Sequence, residues 1–169
     1  AKHPERVSHM VIIDGYARTA DVYANPAAAA IISATANDWE TGTEVIGAVA
    51  FGPGRAESLK HGAYIRACVD PGYLTWSSNY EAVDASEMTS VLKMPVLVIR
   101  HEGARWITDQ MTHDLVATIP DARLLTVAGT WADDPEGLYR RIAAFVYGDA
   151  ELPARSTGRD PSPPTASES

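Results

Sequence analysis

The sequence has little of several features that mark specialised classes of protein. It contains one cysteine, Cys68, in 169 residues, which excludes an internal disulfide framework and favours a reducing compartment. No apolar run approaches the roughly twenty residues that cross a bilayer, and no signal peptide is recognisable. No basic run occurs and the net charge is −8, which argues against a nucleic acid or an anionic membrane as partner. A cytoplasmic location is therefore expected.

What remains is the composition of an ordinary globular domain. Hydrophobic residues make up 46% of the chain and charged residues 21%, enough for one domain with a real core. Residue 1 is Ala rather than Met, which indicates either processing or a piece of a longer protein. Cys68 stands between Ala67 and Val69, which favours a small buried residue over a reactive thiol. The tail, residues 149–169, is rich in Pro, Ser and Thr and is predicted to be disordered.

Three apolar segments predict parallel β-strands at residues 7–14, 95–100 and 122–128. Their sequences, VSHMVIID, PVLVIR and ARLLTVA, are runs of the length and apolar content typical of strands buried on both faces of a parallel sheet. Helical patterns lie between the strands, so the sequence predicts an α/β fold with right-handed crossovers. Ligands of such sheets bind beyond the carboxyl ends of the strands.

The chain divides by pattern into four parts. Residues 1–36 carry the first strand and a helix that Asn25 caps and Pro26 begins, as expected for these residue types. Residues 37–92 have weaker periodicity and are predicted to form an irregular helical, cap-like insertion. Residues 93–148 carry the last two strands and their helices, the second of which is predicted to start at Pro135. Residues 149–169 are the tail.

Three segments resemble the C-terminal half of the α/β-hydrolase fold. They are KHPERVSHMVIIDGYAR, MPVLVIRHEGAR and IPDARLLTVAG, and they are similar to the family's sixth, seventh and eighth strands. The segments DWETG and MTSVLKMPVLVIR further resemble a bacterial subgroup whose domains occur alone or fused to nucleotide cyclases and transcriptional regulators. The resemblance covers about residues 1–147 and implies a partial hydrolase fold with a cap between the sixth and seventh strands.

The resemblance also implies a catalytic Ser, acid and His in that chain order, and this chain departs from it. No Gly-x-Ser-x-Gly occurs, so the nucleophile would precede residue 1. Aligned on Gly103, the acid position falls on Ala104; aligned on Gly129, the His position falls near Ala132. The prediction is a protein that is inactive alone, with a ligand-sensing or interaction role. The alternative is an acyl-ester hydrolase whose Ser lies in upstream sequence.

Four other residues are candidates for a site. Glu102 could orient a base or be a solvated loop carboxylate, and His101 could be a displaced base or a solvated rim histidine. Trp106 and Trp131 lie on adjacent predicted loops and could line one apolar pocket or pack the loops together. The five histidines lack metal-ligand spacing with the cysteine, and no metal or cofactor site is implied.

Two kinds of partner follow from these patterns. A small acyl- or ester-like molecule is the expected ligand of the pocket. In the hydrolase order, the strand at residues 7–14 would have one unpaired, apolar edge. Such an edge invites strand addition, so self-association or pairing with a complementing chain is predicted.

Overall fold

The structure is a computed structural model that describes residues 3–72 and 83–148. The predicted disordered tail lies outside these residues. In chain order the elements are a 3-10 turn (Pro4–Arg6), β1 (Met10–Ile13), α1 (Thr19–Tyr23), α2 (Pro26–Asn37), α3 (Trp39–Phe51), α4 (Ala56–Cys68), α5 (Ser86–Ser90), β2 (Val96–His101), α6 (Asp109–Thr118), β3 (Ala122–Val127) and α7 (Pro135–Tyr147).

The three strands form a parallel sheet in the order β1-β2-β3, which confirms the predicted α/β fold with three parallel strands. The first strand is shorter than predicted because its first ladder bond runs from the Met10 N–H to the Pro95 carbonyl. Residues 7–9 precede the start of the neighbouring strand, so no strand of the described residues lies beside them. β2 is buried throughout. β1 and β3 are only partly buried, since each is an edge strand of the described sheet.

Alternating side chains of β2 supply both halves of the core. Val96 and Val98 are fully buried against α6, whereas Leu97 and Ile99 point to the opposite face. That face is covered by α7, as the apolar stripe of this helix predicts. The residues of α7 in this cluster are Leu138, Ile142 and Phe145. Because both faces of β2 are covered, the position of its carboxyl end is held firmly by packing.

Between β1 and β2 the chain forms a layer of helices. α2 begins as predicted, with the Asn25 side chain accepting a hydrogen bond from the Ala27 N–H at 2.8 Å and Pro26 in the first turn. The expected irregularity is not found over α3 and α4, which are regular helices of 13 residues each. They pack through small residues. A Cβ at Gly47 would lie 2.2 Å from the Ser58 carbonyl oxygen, so glycine permits the close approach. Glycine and hydroxyl residues give little hydrophobic periodicity, which explains the weak sequence signal.

Two further properties are the exposure of Cys68 and the length and apolar content of the helices. Cys68, predicted to be buried, is exposed, because it is the last residue of α4 and that helix has no consistent apolar face. Over residues 3–72 and 83–148, none of the helices is both long enough and apolar enough to cross a membrane.

Candidate functional site

A cavity of about 220 Å³ lies at the carboxyl ends of the strands, where the parallel topology places ligands. The residues after β1 and β3 and the last residue of β2 line it, together with side chains from α3, α4 and the loop after β2. The lining residues are Asp14, Ala50, His61, His101, Ala104, Trp106, Thr130 and Trp131. Sheet and helical layer therefore both contribute to its wall.

Asp14 and His101 form a hydrogen-bonded pair in this wall. One carboxylate oxygen of Asp14 accepts from the His101 backbone N–H at 2.8 Å, and the other lies 2.9 Å from Nδ1 of the His101 ring. His101 is 1% exposed, and the Asp14 side chain is 11% exposed. The expectation of a solvated rim histidine is therefore wrong. Asp14 has a φ of +48°, a left-handed conformation that aspartate tolerates better than most residues.

The parallel register is what brings this pair together. Ile13 lies opposite Ile99 in the ladder, so the residues that follow β1 meet the end of β2. The two partners are 87 residues apart in the chain. The sequence predicts strands at residues 7–14 and 95–100 but does not pair these two residues, because nothing in the local pattern specifies the register of distant parallel strands. This hydrogen-bonded pair is the arrangement of a carboxylate that fixes the tautomer and orientation of an imidazole.

The loop after β2 is held against the loop after β3 by a close backbone contact. The Gly103 N–H donates to the Gly129 carbonyl at 2.7 Å. A Cβ at Gly103 would lie 2.7 Å from the same oxygen, so only glycine fits without a shift. Ala104 follows, is buried, and lines the cavity with its methyl group. The position that the resemblance assigns to an acid thus presents an apolar group.

Glu102 and Ala132 lie outside the cavity wall. The Glu102 side chain is exposed, and its backbone N–H bonds the Val127 carbonyl at 2.9 Å. Within the described residues, its carboxylate makes no hydrogen bond or ion pair with a histidine. Ala132 is half-buried in the loop between Trp131 and Asp133.

Asp133 fastens the loop after β3 to the helical layer. Its carboxylate accepts from Arg55 at 2.7 Å and from the backbone N–H and hydroxyl of Thr130 at 2.6 and 2.8 Å. The Arg55 hydrogen bond, then those from Thr130, hold the pKa of Asp133 well below its usual range. We call these three residues the clasp. The next residue, Asp134, caps α7 by accepting from the Gly137 N–H at 2.9 Å, and the helix starts at Pro135 as predicted.

Trp106 and Trp131 form the apolar side of the cavity, and two further rings pack in a chain beside Trp131. Trp131 contacts Phe51 edge to face, with ring centroids 5.0 Å apart, and Phe51 contacts His61 at 5.1 Å. Burial lowers the pKa of His61, which favours its neutral form at pH 7. The Trp106 carbonyl accepts from the Asn25 side chain at 3.2 Å, which ties this loop to the start of α2. Both tryptophans line the cavity.

The arrangement offers hydrogen bonding and an apolar surface. Over residues 3–72 and 83–148, there is no group of three or more His, Cys, Asp or Glu side chains that could hold a metal ion. The lining contains one hydrogen-bonded acid–imidazole pair, a second imidazole and a hydroxyl already engaged by the clasp. These groups can orient a small molecule and accept or donate protons through the imidazole.

Comparison with solved structures identifies the class of fold. No protein-family profile and no curated protein sequence matches the chain. An N-acyl homoserine lactone degrading enzyme is 18% identical with a TM-score of 0.69 over 85% of this chain and 60% of its own. An esterase from Rhodococcus sp. ECU1013 is 16% identical with a TM-score of 0.66 over 83% and 56% of the two chains.

An α/β-hydrolase enzyme from a Medee basin deep-sea metagenome library is 15% identical with a TM-score of 0.57, over 91% of this chain and 61% of its own. The described residues therefore have the architecture of part of an α/β-hydrolase fold. The chain spans less than two thirds of the length of these structures.

Proposed function

We propose that this chain is the C-terminal part of an α/β-hydrolase-like protein, and that its rim cavity binds a small ester-like ligand without hydrolysing it on its own. The observation that carries the proposal is the cavity itself. It combines two tryptophans, a buried acid–imidazole pair and the methyl group of Ala104. Hydrolase-fold neighbours that act on esters make an ester-like ligand the first class to test.

The groups around the cavity do not make up a complete catalytic triad. Ester hydrolysis by this fold needs a nucleophile, a base and an acid that orients the base. Ala104 carries no acid. The loop from Gly129 to Asp134 contains no histidine, and Asp133 in that loop is engaged by the clasp. Loss of a triad member typically costs about four decades of rate.

The cavity is large enough for a ligand of one ring. An engineered cavity of roughly 150 Å³ lined by apolar side chains binds benzene, and this one is about 220 Å³. Trp131 and Trp106 present the apolar surface that such a ring would cover. Asp14 and His101 lie on the other wall, so a ligand with one polar end has a defined orientation.

The test is calorimetric titration of the purified chain with methyl benzoate, alongside a hydrolysis assay on the same ester. We expect saturable binding of methyl benzoate. Trp131→Ala should weaken this binding about tenfold or more, since the ring of the ligand loses a large contact surface. Trp39→Phe is the matched control, because Trp39 begins α3 and does not line the cavity. No binding, or turnover that one point substitution abolishes, would contradict the proposal.

A second candidate is an acyl-ester hydrolase whose nucleophile is supplied by sequence upstream of residue 1. The Asp14–His101 pair favours it, because the carboxylate fixes the imidazole as a catalytic base requires. The test is labelling of any longer natural form of the protein with a serine-directed fluorophosphonate. Labelling that His101→Ala abolishes supports this candidate. A longer form without labelling or activity on short acyl esters removes it.

A further inference from the structure

We infer that the Nε2 atom of His101 accepts a hydrogen bond from a hydroxyl group of the cavity ligand. The ligand is then a small, uncharged, ester-like molecule that also bears a hydroxyl group, with its apolar part against the tryptophans. The inference rests on the proposed ligand-binding function and adds to it a chemical class and a recognition atom. It assigns the Asp14–His101 pair a role that does not require a nucleophile.

The tautomer of His101 follows from its partners. Both oxygens of Asp14 accept hydrogen bonds from His101, one from the backbone N–H and one from the ring at Nδ1. A carboxylate has no proton to donate, so the ring proton must sit on Nδ1. In the neutral imidazole this leaves Nε2 as an acceptor. Among the described residues no side chain or backbone group donates to Nε2, and His101 is one of the residues that line the cavity.

The charges around the cavity select a neutral ligand. Asp14 is the lining carboxylate, and both of its oxygens are engaged by His101. Arg55 and Arg100 are paired with Asp133 and Asp109 at 2.7 and 3.0 Å. Arg105 is an exposed residue of the loop after β2, and none of these three arginines lines the cavity. An anionic ligand would meet Asp14 without a cation to balance it. A hydroxyl group supplies the one proton that Nε2 lacks and carries no charge.

The rest of the cavity wall determines which apolar group the ligand carries. Trp131 and Trp106 face the space beside Ala50 and Ala104, so the surface next to His101 is aromatic and methyl-lined. A one-ring alcohol places its ring on this surface while its hydroxyl reaches the imidazole. An ester without a hydroxyl can cover the same apolar surface, but it leaves Nε2 without a donor and should bind less tightly than an ester that carries a hydroxyl.

The test compares benzyl alcohol with anisole, an isomer of the same size that has no donor. We expect the wild-type chain to bind benzyl alcohol about five to ten times more tightly than anisole, which corresponds to the free energy of one net hydrogen bond. In Asp14→Asn the amide can accept from the His101 backbone N–H and donate to Nδ1. The ring proton then moves to Nε2, which becomes a donor, and the preference should fall to about one.

Asp121→Asn is the matched control. Asp121 is an exposed carboxylate before β3, at the opposite end of the sheet, so this variant should retain the full preference. The tautomer is read independently by 15N NMR of the wild-type His101 ring, with the proton expected on Nδ1. This measurement needs no variant to fold and no ligand to bind.

The outcomes separate the two proposals. If methyl benzoate does not bind, the proposed ligand-binding function fails and this inference fails with it. If methyl benzoate binds but benzyl alcohol does not, this inference alone is overturned. If benzyl alcohol and anisole bind equally in the wild type, or if the ring proton is on Nε2, this inference alone is again overturned. A preference that survives in Asp14→Asn likewise overturns it, because a purely structural Asp14 would leave the selectivity unchanged.

Discussion

Replacing Gly103 by alanine tests whether the cavity depends on the contact between the two rim loops. The added Cβ would lie 2.7 Å from the Gly129 carbonyl oxygen and 2.8 Å from Cγ2 of Thr130, closer than nonbonded atoms approach. Gly103 does not have a positive φ, so the substitution brings a steric clash without a backbone penalty. The loops must separate by several tenths of an ångström, which weakens the Gly103 N–H to Gly129 hydrogen bond of 2.7 Å.

The expected loss of unfolding free energy is about 2–4 kcal/mol. Overpacking contributes about 1–3 kcal/mol, and the weakened hydrogen bond contributes about 1 kcal/mol. Urea denaturation measures the loss. Adding Thr130→Ser removes the Cγ2 contact and retains the hydroxyl, so the double variant should recover part of the loss. A Gly103→Ala chain as stable as wild type, with unchanged ligand affinity, would refute the idea that this contact sets the cavity.

Three further changes probe the clasp, the start of α2 and the sheet edge. Because Arg55 and Thr130 lower the pKa of Asp133, its stabilising contribution is present above about pH 4 and declines as pH falls toward the lower folded-state pKa. Asp133→Asn should thus lower the midpoint of urea denaturation at pH 7. The difference between the midpoints of the variant and the wild type should narrow below about pH 4, and a difference that stays constant with pH would contradict this. Asn25→Ala should cost about 1 kcal/mol in denaturation through loss of the cap. Asn25→Ser retains a cap but loses the hydrogen bond to the Trp106 carbonyl, so the affinity of the cavity for methyl benzoate should fall. An unchanged affinity would contradict the idea that this hydrogen bond positions Trp106. Ile13 is 44% exposed on β1, and Ile13→Lys should reduce self-association in light scattering; a wild-type chain that is already a stable monomer would contradict the predicted edge pairing.

Those parts of the fold that rest on local sequence were predictable. The run PVLVIR predicts β2 because a strand buried on both faces needs consecutive apolar side chains. The starts of α2 and α7 were predictable because Asn25 and Asp134 each precede a proline, and side-chain caps act within three residues. These features require no knowledge of what lies across the fold.

The parts that depend on distant contacts were not predictable. α3 and α4 pack through Gly47 and Gly62 beside Ser58 and Thr43, so their interface has no hydrophobic stripe for a sequence pattern to reveal. The Asp14–His101 pair depends on the register of β1 against β2, which the packing of the whole sheet determines. The burial of His101 could have been anticipated only by counting it as the last residue of β2.

The most direct test of the account is an NMR titration of the isotope-labelled chain with phenyl acetate, observed for both binding and phenol release. We predict saturable shifts of the Trp106 and Trp131 indole N–H signals, assigned with the corresponding Trp→Phe variants. We also predict that phenol appears no faster than in buffer. Unshifted indole signals would contradict the ligand site, and phenol release that a single substitution abolishes would contradict the absence of hydrolysis.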